Sequence, residues 1–179
     1  MDERELIEHA YRAREYAYTP YSDFRVGAAL LTKSGKLYYG CNIESASYTP
    51  TNCAERTAFF KAVSEGEREF EGIAIVGGKG TGRSGNVCAP CGVCRQVMQE
   101  FCRPDEFYIV LEDGKGGWNK YLLKELLPLG FGPENLGYKT ESKKNKTERG
   151  TRISRLYLFL FLEIFFDQIS FFIIQSISV

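Results

Sequence analysis

Two short stretches organise this chain: Thr51-Asn52-Cys53-Ala54-Glu55-Arg56 and, further along, Pro90-Cys91-Gly92-Val93-Cys94. Cys91 and Cys94 have the spacing that allows two thiolates to face one metal ion. A zinc ion with three protein ligands keeps a fourth coordination position open for water, which distinguishes a catalytic site from a closed structural one. Glu55 lies two residues after Cys53, close enough to contact that water without ligating the metal.

A C-x-x-C pair alone is a weak signal, because redox-active thiols and structural zinc ribbons share it. A structural four-cysteine site needs a second, separate C-x-x-C pair, whereas the only other such spacing, Cys88 to Cys91, shares Cys91 with the first pair. C-A-E followed by P-C-x-x-C is much more specific, since zinc-dependent nucleobase deaminases combine such ligands with a Glu that does not bind the metal. The pattern therefore predicts one catalytic Zn²⁺ held by Cys53, Cys91 and Cys94.

Length and charge limit the choice of substrate. A chain of 179 residues is long enough for one domain with a buried core. Residues 1–138 carry 16 Lys/Arg against 19 Asp/Glu, whereas residues 139–155 carry seven basic and two acidic residues. A slightly acidic body lacks the positive surface that nucleic acid requires. We therefore expect a small uncharged substrate and no nucleic-acid partner.

Six cysteines are present: Cys41, Cys53, Cys88, Cys91, Cys94 and Cys102. An even number permits disulfides, but the first residues are charged and typical of a helix, unlike a signal peptide. Reduced thiols in a cytoplasmic protein are the better interpretation. Cys41, Cys88 and Cys102 are then expected to be small buried hydrophobic residues.

The order of predicted elements is α-β-β-α-β-α-β-β, followed by a helical turn. Asp2 caps the first helix with Glu5 completing a capping box, and Asn52 or Thr51 caps the second helix. This order predicts an α/β layered domain. The predicted elements are helix 2–18, strands 25–31 and 36–43, helix 53–65, strand 72–76, helix 91–101, strands 106–111 and 118–122, and turn 124–128.

Several residues near the motifs allow two interpretations. Arg56 either donates N–H groups to the zinc sulfurs or forms a surface salt bridge, and its position beside the site favours the sulfurs. Asn42 and Glu44 either are solvated residues at the end of a strand or bind the adjacent hydroxyls of a ribose. Phe24 is either core or an aromatic wall for a base. The glycine-rich segment 77–85 reads better as a flexible loop than as a phosphate-binding motif.

From Leu6 to Leu136 the chain resembles the small homotetrameric cytidine deaminases, over about three quarters of its length. The resemblance implies a three-layer α/β/α fold with a central mixed five-stranded sheet, and hydrolysis of cytidine and deoxycytidine to uridine and deoxyuridine in pyrimidine salvage. The similar stretches are Pro20-Tyr21-Ser22 with Phe24, Val26-Gly27-Ala28-Ala29-Leu30-Leu31, Gly40-Cys41-Asn42-Ile43-Glu44, Cys53-Ala54-Glu55-Arg56-Thr57-Ala58, Lys61-Ala62-Val63-Ser64-Glu65-Gly66, Pro90-Cys91-Gly92-Val93-Cys94-Arg95-Gln96-Val97, and Glu125-Leu126-Leu127-Pro128 with Phe131-Gly132-Pro133.

The same resemblance assigns roles to individual residues. It implies that Glu55 is the proton shuttle and that the three cysteines bind zinc, with Arg56 beside them. The implied substrate contacts include Tyr48 and Phe131, which reach the sites of neighbouring subunits in a homotetramer. The remaining implied contacts are Phe24 on the base, Asn42 and Glu44 on the ribose, and Ala54. Two departures from the family are Ser45, where Asn is usual, and Cys88-Ala89 before Pro90, where Ser is usual.

After Tyr138 the chain departs from the family. Residues 139–155 are polar and basic, which indicates a linker between a deaminase domain of residues 1–138 and an apolar segment of residues 156–179. Acidic residues interrupt that segment, so an oligomer-packing helix or a non-functional extension is favoured over a membrane anchor.

Two other functions remain open at this point. One is deamination of a different substrate, either an aminonucleoside antibiotic or a base in nucleic acid. Asn42-Ile43-Glu44 favours a free nucleoside, and the missing basic groove argues against a polynucleotide. The other is a structural zinc module that only binds a partner.

Overall fold

A computed structural model describes residues 1–138, so the predicted linker 139–155 and the apolar segment 156–179 lie outside the described residues. The chain divides into two units, Met1–Gly132 and Pro133–Val179. Within the second unit, Pro133–Leu136 forms a short 3-10 helix. The predicted domain boundary after Tyr138 stays a prediction.

Five strands form one mixed sheet in the order β2-β1-β3-β4-β5. β3 and β4 run parallel, whereas the other neighbouring pairs are antiparallel. This architecture confirms the expected mixed five-stranded sheet. The strands are β1 Phe24–Thr32, β2 Leu37–Cys41, β3 Phe70–Lys79, β4 Tyr108–Glu112 and β5 Trp118–Leu122.

The helices of residues 1–138 cover both faces of this sheet, which confirms the three-layer α/β/α arrangement. On one face, Leu6 and Ala10 of the first helix pack with Ala29 and Val110. On the other face, Phe59 and Met98 pack with Ile73 and Ile109. The helices are α1 Glu3–Arg14, α2 Ala54–Ser64, α3 Gly92–Phe101 and α4 Leu123–Leu126. Of these helices, none is both long enough and apolar enough to cross a membrane.

Helix α1 begins as predicted but ends earlier. The Asp2 side chain accepts a hydrogen bond from the Glu5 amide at 2.7 Å, as a capping residue should. The helix ends at Arg14 instead of residue 18 because the following residues have tertiary partners. The backbone N–H of Tyr18 donates to the Asn42 carbonyl, and the Tyr18 carbonyl accepts from the Glu44 amide. This pairing draws the chain out of the helix toward the end of β2.

Two glycines allow helices to lie directly on the strands. A Cβ atom at Gly27 would lie 2.1 Å from the Ala10 carbonyl oxygen in α1. A Cβ atom at Gly40 would lie 2.1 Å from the Ala54 carbonyl oxygen, in the first turn of α2. Gly40 therefore determines how closely the start of α2 approaches the sheet.

We expect the substitution Gly40→Ala to lower the free energy of unfolding by about 3 kcal/mol, because its methyl group must displace backbone rather than a flexible side chain. Gly82→Ala is the matched control, since nothing lies within 4 Å of a Cβ built at Gly82. The free energy of unfolding of Gly82→Ala should stay within about 0.5 kcal/mol of the wild-type value. Urea unfolding at one fixed protein concentration measures both values. Equal stability of the two variants would contradict this account of Gly40.

Candidate metal centre

The structure brings the three predicted zinc ligands together. The Sγ atom of Cys91 lies 3.9 Å from that of Cys53 and 3.4 Å from that of Cys94. All three sulfurs lie within 4.8 Å of one another. Two thiolates on one tetrahedral zinc ion, each at about 2.3 Å, lie about 3.8 Å apart. The cluster therefore fits one zinc ion per chain, and no fourth His, Cys, Asp or Glu of residues 1–138 joins it.

The sulfurs meet because two helices begin at the same place. Cys53 is the N-cap residue of α2 and Cys91 is the N-cap residue of α3. Both have extended backbone, and neither side chain caps its own helix, so both thiols are free for a metal. The positive ends of two helix dipoles therefore point toward the cluster, where they stabilise thiolates.

The predicted cap of α2 by Asn52 or Thr51 is wrong. The Asn52 side chain donates to the Thr57 hydroxyl at 3.0 Å, and the Thr51 hydroxyl accepts from the Ser45 amide at 3.1 Å. Both side chains are thus occupied in fixing the segment that precedes Cys53. Cys53 therefore occupies the N-cap position, from which a side chain extends past the end of the helix.

Hydrogen bonds between the thiols alter their acidity. A hydrogen bond from Cys94, together with Arg56, lowers the pKa of Cys53 to about 5. The same hydrogen bond and burial raise the pKa of Cys94 far above its usual range. One thiol thus carries a proton on behalf of its ionised neighbour. A metal cation can take the place of that proton, which makes metal binding release protons.

Glu55 is buried beside the cluster, with 4% of its surface exposed. Burial, followed by the negative charge of Cys53, raises the pKa of this carboxyl group to about 7. Its position in the first turn of α2 follows directly from the position of Cys53. A carboxyl group in this range can both accept and release a proton near neutral pH.

Arg56 contacts a zinc-ligand sulfur. Its Nη2 atom donates to the Thr51 carbonyl at 3.0 Å and to the Cys53 sulfur at 3.8 Å. Within residues 1–138, no carboxylate forms an ion pair with this arginine. The geometry thus fits the sulfur-donating interpretation and not the surface salt bridge.

Asn42 and Glu44 lie just beyond the end of β2, next to the segment that leads into Cys53. Ile43, between them, pairs with Asn52, the residue before Cys53. The Asn42 side chain accepts from the Val26 amide and donates to the Phe24 carbonyl, both at 2.8 Å. Both residues are therefore held in fixed positions beside the metal site.

The Glu44 carboxylate caps the loop before β1. It accepts hydrogen bonds from the Ser22 hydroxyl and from the Tyr21 and Ser22 amides, the Tyr21 bond being 2.9 Å long. These bonds, that of the Ser22 hydroxyl foremost, lower the pKa of Glu44. The carboxylate is thus ionised and acts as a hydrogen-bond acceptor.

The three aromatic residues singled out in the sequence are uncovered in a single chain. The exposed fractions are 41% for Phe24, 78% for Tyr48 and 58% for Phe131. Tyr48 also has a φ of 58°, in the left-handed region, which fixes its turn in an unusual conformation. Ala54, by contrast, is fully buried.

Cys88, expected to be a small buried hydrophobic residue, is half-buried and packs against the core, where it also lies beside Phe24. A Cβ atom at Gly77 would lie 2.4 Å from the Cys88 sulfur and 3.3 Å from Cε1 of Phe24, so both side chains cover the same point of β3. Burial, followed by the charge of Glu55, raises the pKa of Cys88 to about 11. A neutral thiol thus lies beside the Phe24 ring. Cys102 is buried as expected, whereas Cys41 is half-buried.

Comparisons with known proteins agree with this geometry. Residues 1–111 match the family model described as the cytidine and deoxycytidylate deaminase zinc-binding region. The chain is 49% identical to a cytidine deaminase of Sporosarcina psychrophila over 141 residues, which are 79% of this chain and 99% of that protein. It is 48% identical to one of Halalkalibacterium halodurans over 136 residues, which are 76% and 98% of the two chains.

Solved structures give the same result. The crystal structure of cytidine deaminase from Burkholderia pseudomallei superimposes with a TM-score of 0.66 at 48% identity and covers 73% of this chain and 100% of that one. A second crystal structure, of cytidine deaminase from Mycobacterium tuberculosis, gives a TM-score of 0.63 at 38% identity and covers 74% and 98%.

We expect Cys53→Ser, Cys91→Ser and Cys94→Ser each to reduce bound zinc from about one ion per chain to below about 0.2, because two thiolates hold zinc far less well than three. Cys41→Ser is the matched control, since its thiol donates to the Tyr16 carbonyl and lies outside the cluster. Elemental analysis of the purified variants provides the measurement. Full zinc content in any of the three cluster variants would contradict the assignment of that ligand.

Proposed function

This chain belongs to the cytidine and deoxycytidylate deaminase family, and on that premise we propose that it hydrolyses cytidine and deoxycytidine to uridine and deoxyuridine with release of ammonia. One observation carries the proposal: a buried carboxyl group, Glu55, adjoins three thiols arranged for one zinc ion. A purely structural zinc site has no use for a buried acid with a pKa of about 7.

The chemistry divides between the metal and Glu55. Zinc, when bound by the three thiolates, lowers the pKa of water and so supplies a strong nucleophile near neutral pH. Glu55 takes the proton of the attacking water and delivers it to N3 of the cytosine ring, which makes C4 electrophilic. After the attack, Glu55 carries a proton to the departing amino group, and ammonia leaves. The burial of Glu55 suits both transfers, because it holds the pKa near neutral, where the carboxyl group both accepts and releases a proton.

Asn42 and Glu44 are the proposed ribose contacts. An amide side chain offers two donors and two acceptor positions, and Asn42 uses one of each on β1, so one of each remains for a hydroxyl. The ionised Glu44 accepts a hydrogen bond from a second hydroxyl. Its negative charge would repel a phosphate group, which supports a nucleoside over a nucleotide as substrate.

Phe24 provides the proposed wall against which the base packs, with Cys88 beside it. The backbone amide of Ala54 stands at the start of α2, where amide groups have no partner within the helix. A base carbonyl could accept from such an amide. Arg56 donates a hydrogen bond to the Cys53 sulfur and so offsets part of the negative charge of the metal site.

The proposed assembly is a homotetramer in which Tyr48 and Phe131 complete the sites of neighbouring subunits. Their large aromatic side chains, 78% and 58% exposed, are accessible to such an interface, where Tyr and Phe are enriched. The three zinc thiolates must stay reduced, which supports a cytoplasmic location.

We expect purified protein with bound zinc to convert cytidine to uridine and ammonia, and Glu55→Gln to lower kcat at least about a thousandfold. The reason is that an amide can neither accept nor release the transferred proton. Zinc content and thermal unfolding should match the wild type, because the substitution changes no zinc ligand and preserves the size of the side chain. Glu100→Gln, on the exposed side of α3, is the control and should keep full turnover. Turnover near the wild-type value in Glu55→Gln would contradict the assignment of Glu55 as the residue that transfers the proton.

The shared site is tested by joining two defective chains. We expect Glu55→Gln co-expressed with Phe131→Ala, and purified as mixed oligomers through two tags, to turn over low cytidine concentrations much faster than either variant alone. Some sites in such oligomers combine an intact Glu55 with an intact Phe131 from the neighbour. The control replaces the Glu55→Gln partner by the double variant Glu55→Gln, Phe131→Ala, which supplies no Phe131 and should give no gain. Equal activity of the two mixtures would exclude Phe131 from a neighbour's site.

A further inference from the structure

The loop that carries Phe131 is held to helix α3 by two neighbouring side chains. Gln96 donates from Nε2 to the carbonyl oxygen of Phe131 at 2.7 Å. Arg95 donates from Nη1 to the Leu126 carbonyl at 2.7 Å and from Nε to the Pro90 carbonyl at 2.8 Å. The C-terminal end of α4 and the loop that follows it are therefore tied to the start of α3.

The loop also lies close to α3 on both sides of Phe131. A Cβ atom at Gly132 would lie 2.9 Å from Nε2 of Gln99, and one at Gly130 would lie 3.1 Å from its Oε1. Leu129, just before, has a φ of 56°, in the left-handed region. The backbone path through residues 129–132 is thus closely specified, although the Phe131 ring itself is mostly exposed.

Arg95 and Gln96 directly follow Cys94, one of the three zinc ligands. One turn of helix α3 therefore positions the metal ligand Cys94 and, through Gln96, also fixes the backbone of Phe131. An exposed aromatic side chain contributes to binding only if little conformational freedom is lost when the ligand arrives. The hydrogen bond from Gln96 to the Phe131 carbonyl fixes the backbone that carries the ring before the ligand binds.

We propose that Gln96 is a positioning residue that holds Phe131 ready to close on the nucleoside. The proposal rests on the function proposed above and adds to it the residue that sets the aromatic closure. Gln96 acts through Phe131 and does not touch the reacting atoms. Its loss should weaken substrate binding and leave the chemical step, which depends on zinc and Glu55, nearly unchanged.

The experiment compares Gln96→Ala and Gln96→Glu with the wild-type holoenzyme. Glutamate has the same length but places an acceptor against the Phe131 carbonyl, so it removes the hydrogen bond without removing bulk. We expect both variants to raise the KM for cytidine about tenfold and to change kcat less than about threefold. Zinc content should stay at that of the wild type. Glu100→Ala, one turn further along α3 and exposed, should leave both constants unchanged.

Dependence on Phe131 separates positioning from a general effect. In a Phe131→Ala background, Gln96→Ala should raise KM less than about twofold further, because the ring that it positions is already gone. Hydrogen exchange of residues 127–132 should be about tenfold faster in Gln96→Ala than in the wild type. An unchanged KM in Gln96→Ala, or an equal rise in both backgrounds, overturns the proposal. If the wild type deaminates no cytidine, the proposed function fails, and unchanged exchange would then overturn the positioning role independently.

Discussion

The structure depends on the meeting of two helix N-termini at one point of the sheet. A metal site of three thiolates needs its sulfurs within about 4 Å of one another, although they come from residues distant in the chain. Placing Cys53 and Cys91 at N-cap positions achieves this, because each side chain then extends past the end of its helix. The positive dipole ends offset part of the negative charge that three thiolates bring. Gly40 completes the arrangement by allowing α2 to lie on β2 without an intervening side chain.

This arrangement places unfavourable groups inside the protein, and zinc makes them compatible with the fold. Glu55 is an acid buried beside an ionised thiol, and Nε of Arg56 is buried with no hydrogen-bond partner in residues 1–138. Each feature alone costs stability. A bound cation balances the thiolate charge, so metal binding and folding of this region are coupled. The same features that oppose folding give Glu55 the acidity that the proposed proton transfers require.

Local sequence signals predicted the chemistry better than the details of the packing. The C-A-E and P-C-x-x-C motifs, with their spacing, led to the metal cluster, and turn residues separated the five strands correctly. The cap of α2 was wrong because Asn52 and Thr51 found tertiary partners that no local pattern reveals. Cys88 packs against the core as predicted, but no local pattern shows that it also lies beside Phe24.

Arg14 is the clearest case of a role that sequence could not reveal. Its buried guanidinium donates to the carbonyls of Gly78, Gly80 and Gly82, as well as that of Arg25. A basic residue in a surface helix normally points to solvent, so the periodicity of α1 gave no indication of this contact. These carbonyls support the interpretation of the glycine-rich segment as a loop over that of a phosphate site, because the segment presents oxygen atoms to a cation.

The chemical and the recognition parts of the site have different origins. Cys53, Glu55, Cys91 and Cys94 come together within one chain and through backbone geometry alone. The aromatic groups that would enclose a base do not: Tyr48 and Phe131 stand exposed, each on a loop whose backbone is constrained by a left-handed residue. In the proposed tetramer, such loops would be rigid before assembly, so that subunit contact alone would complete the site. Assembly would then control affinity for the nucleoside, while folding of the single chain and its zinc ion controls the chemical step. Since α3 carries both Cys94 and Gln96, one helix connects the two.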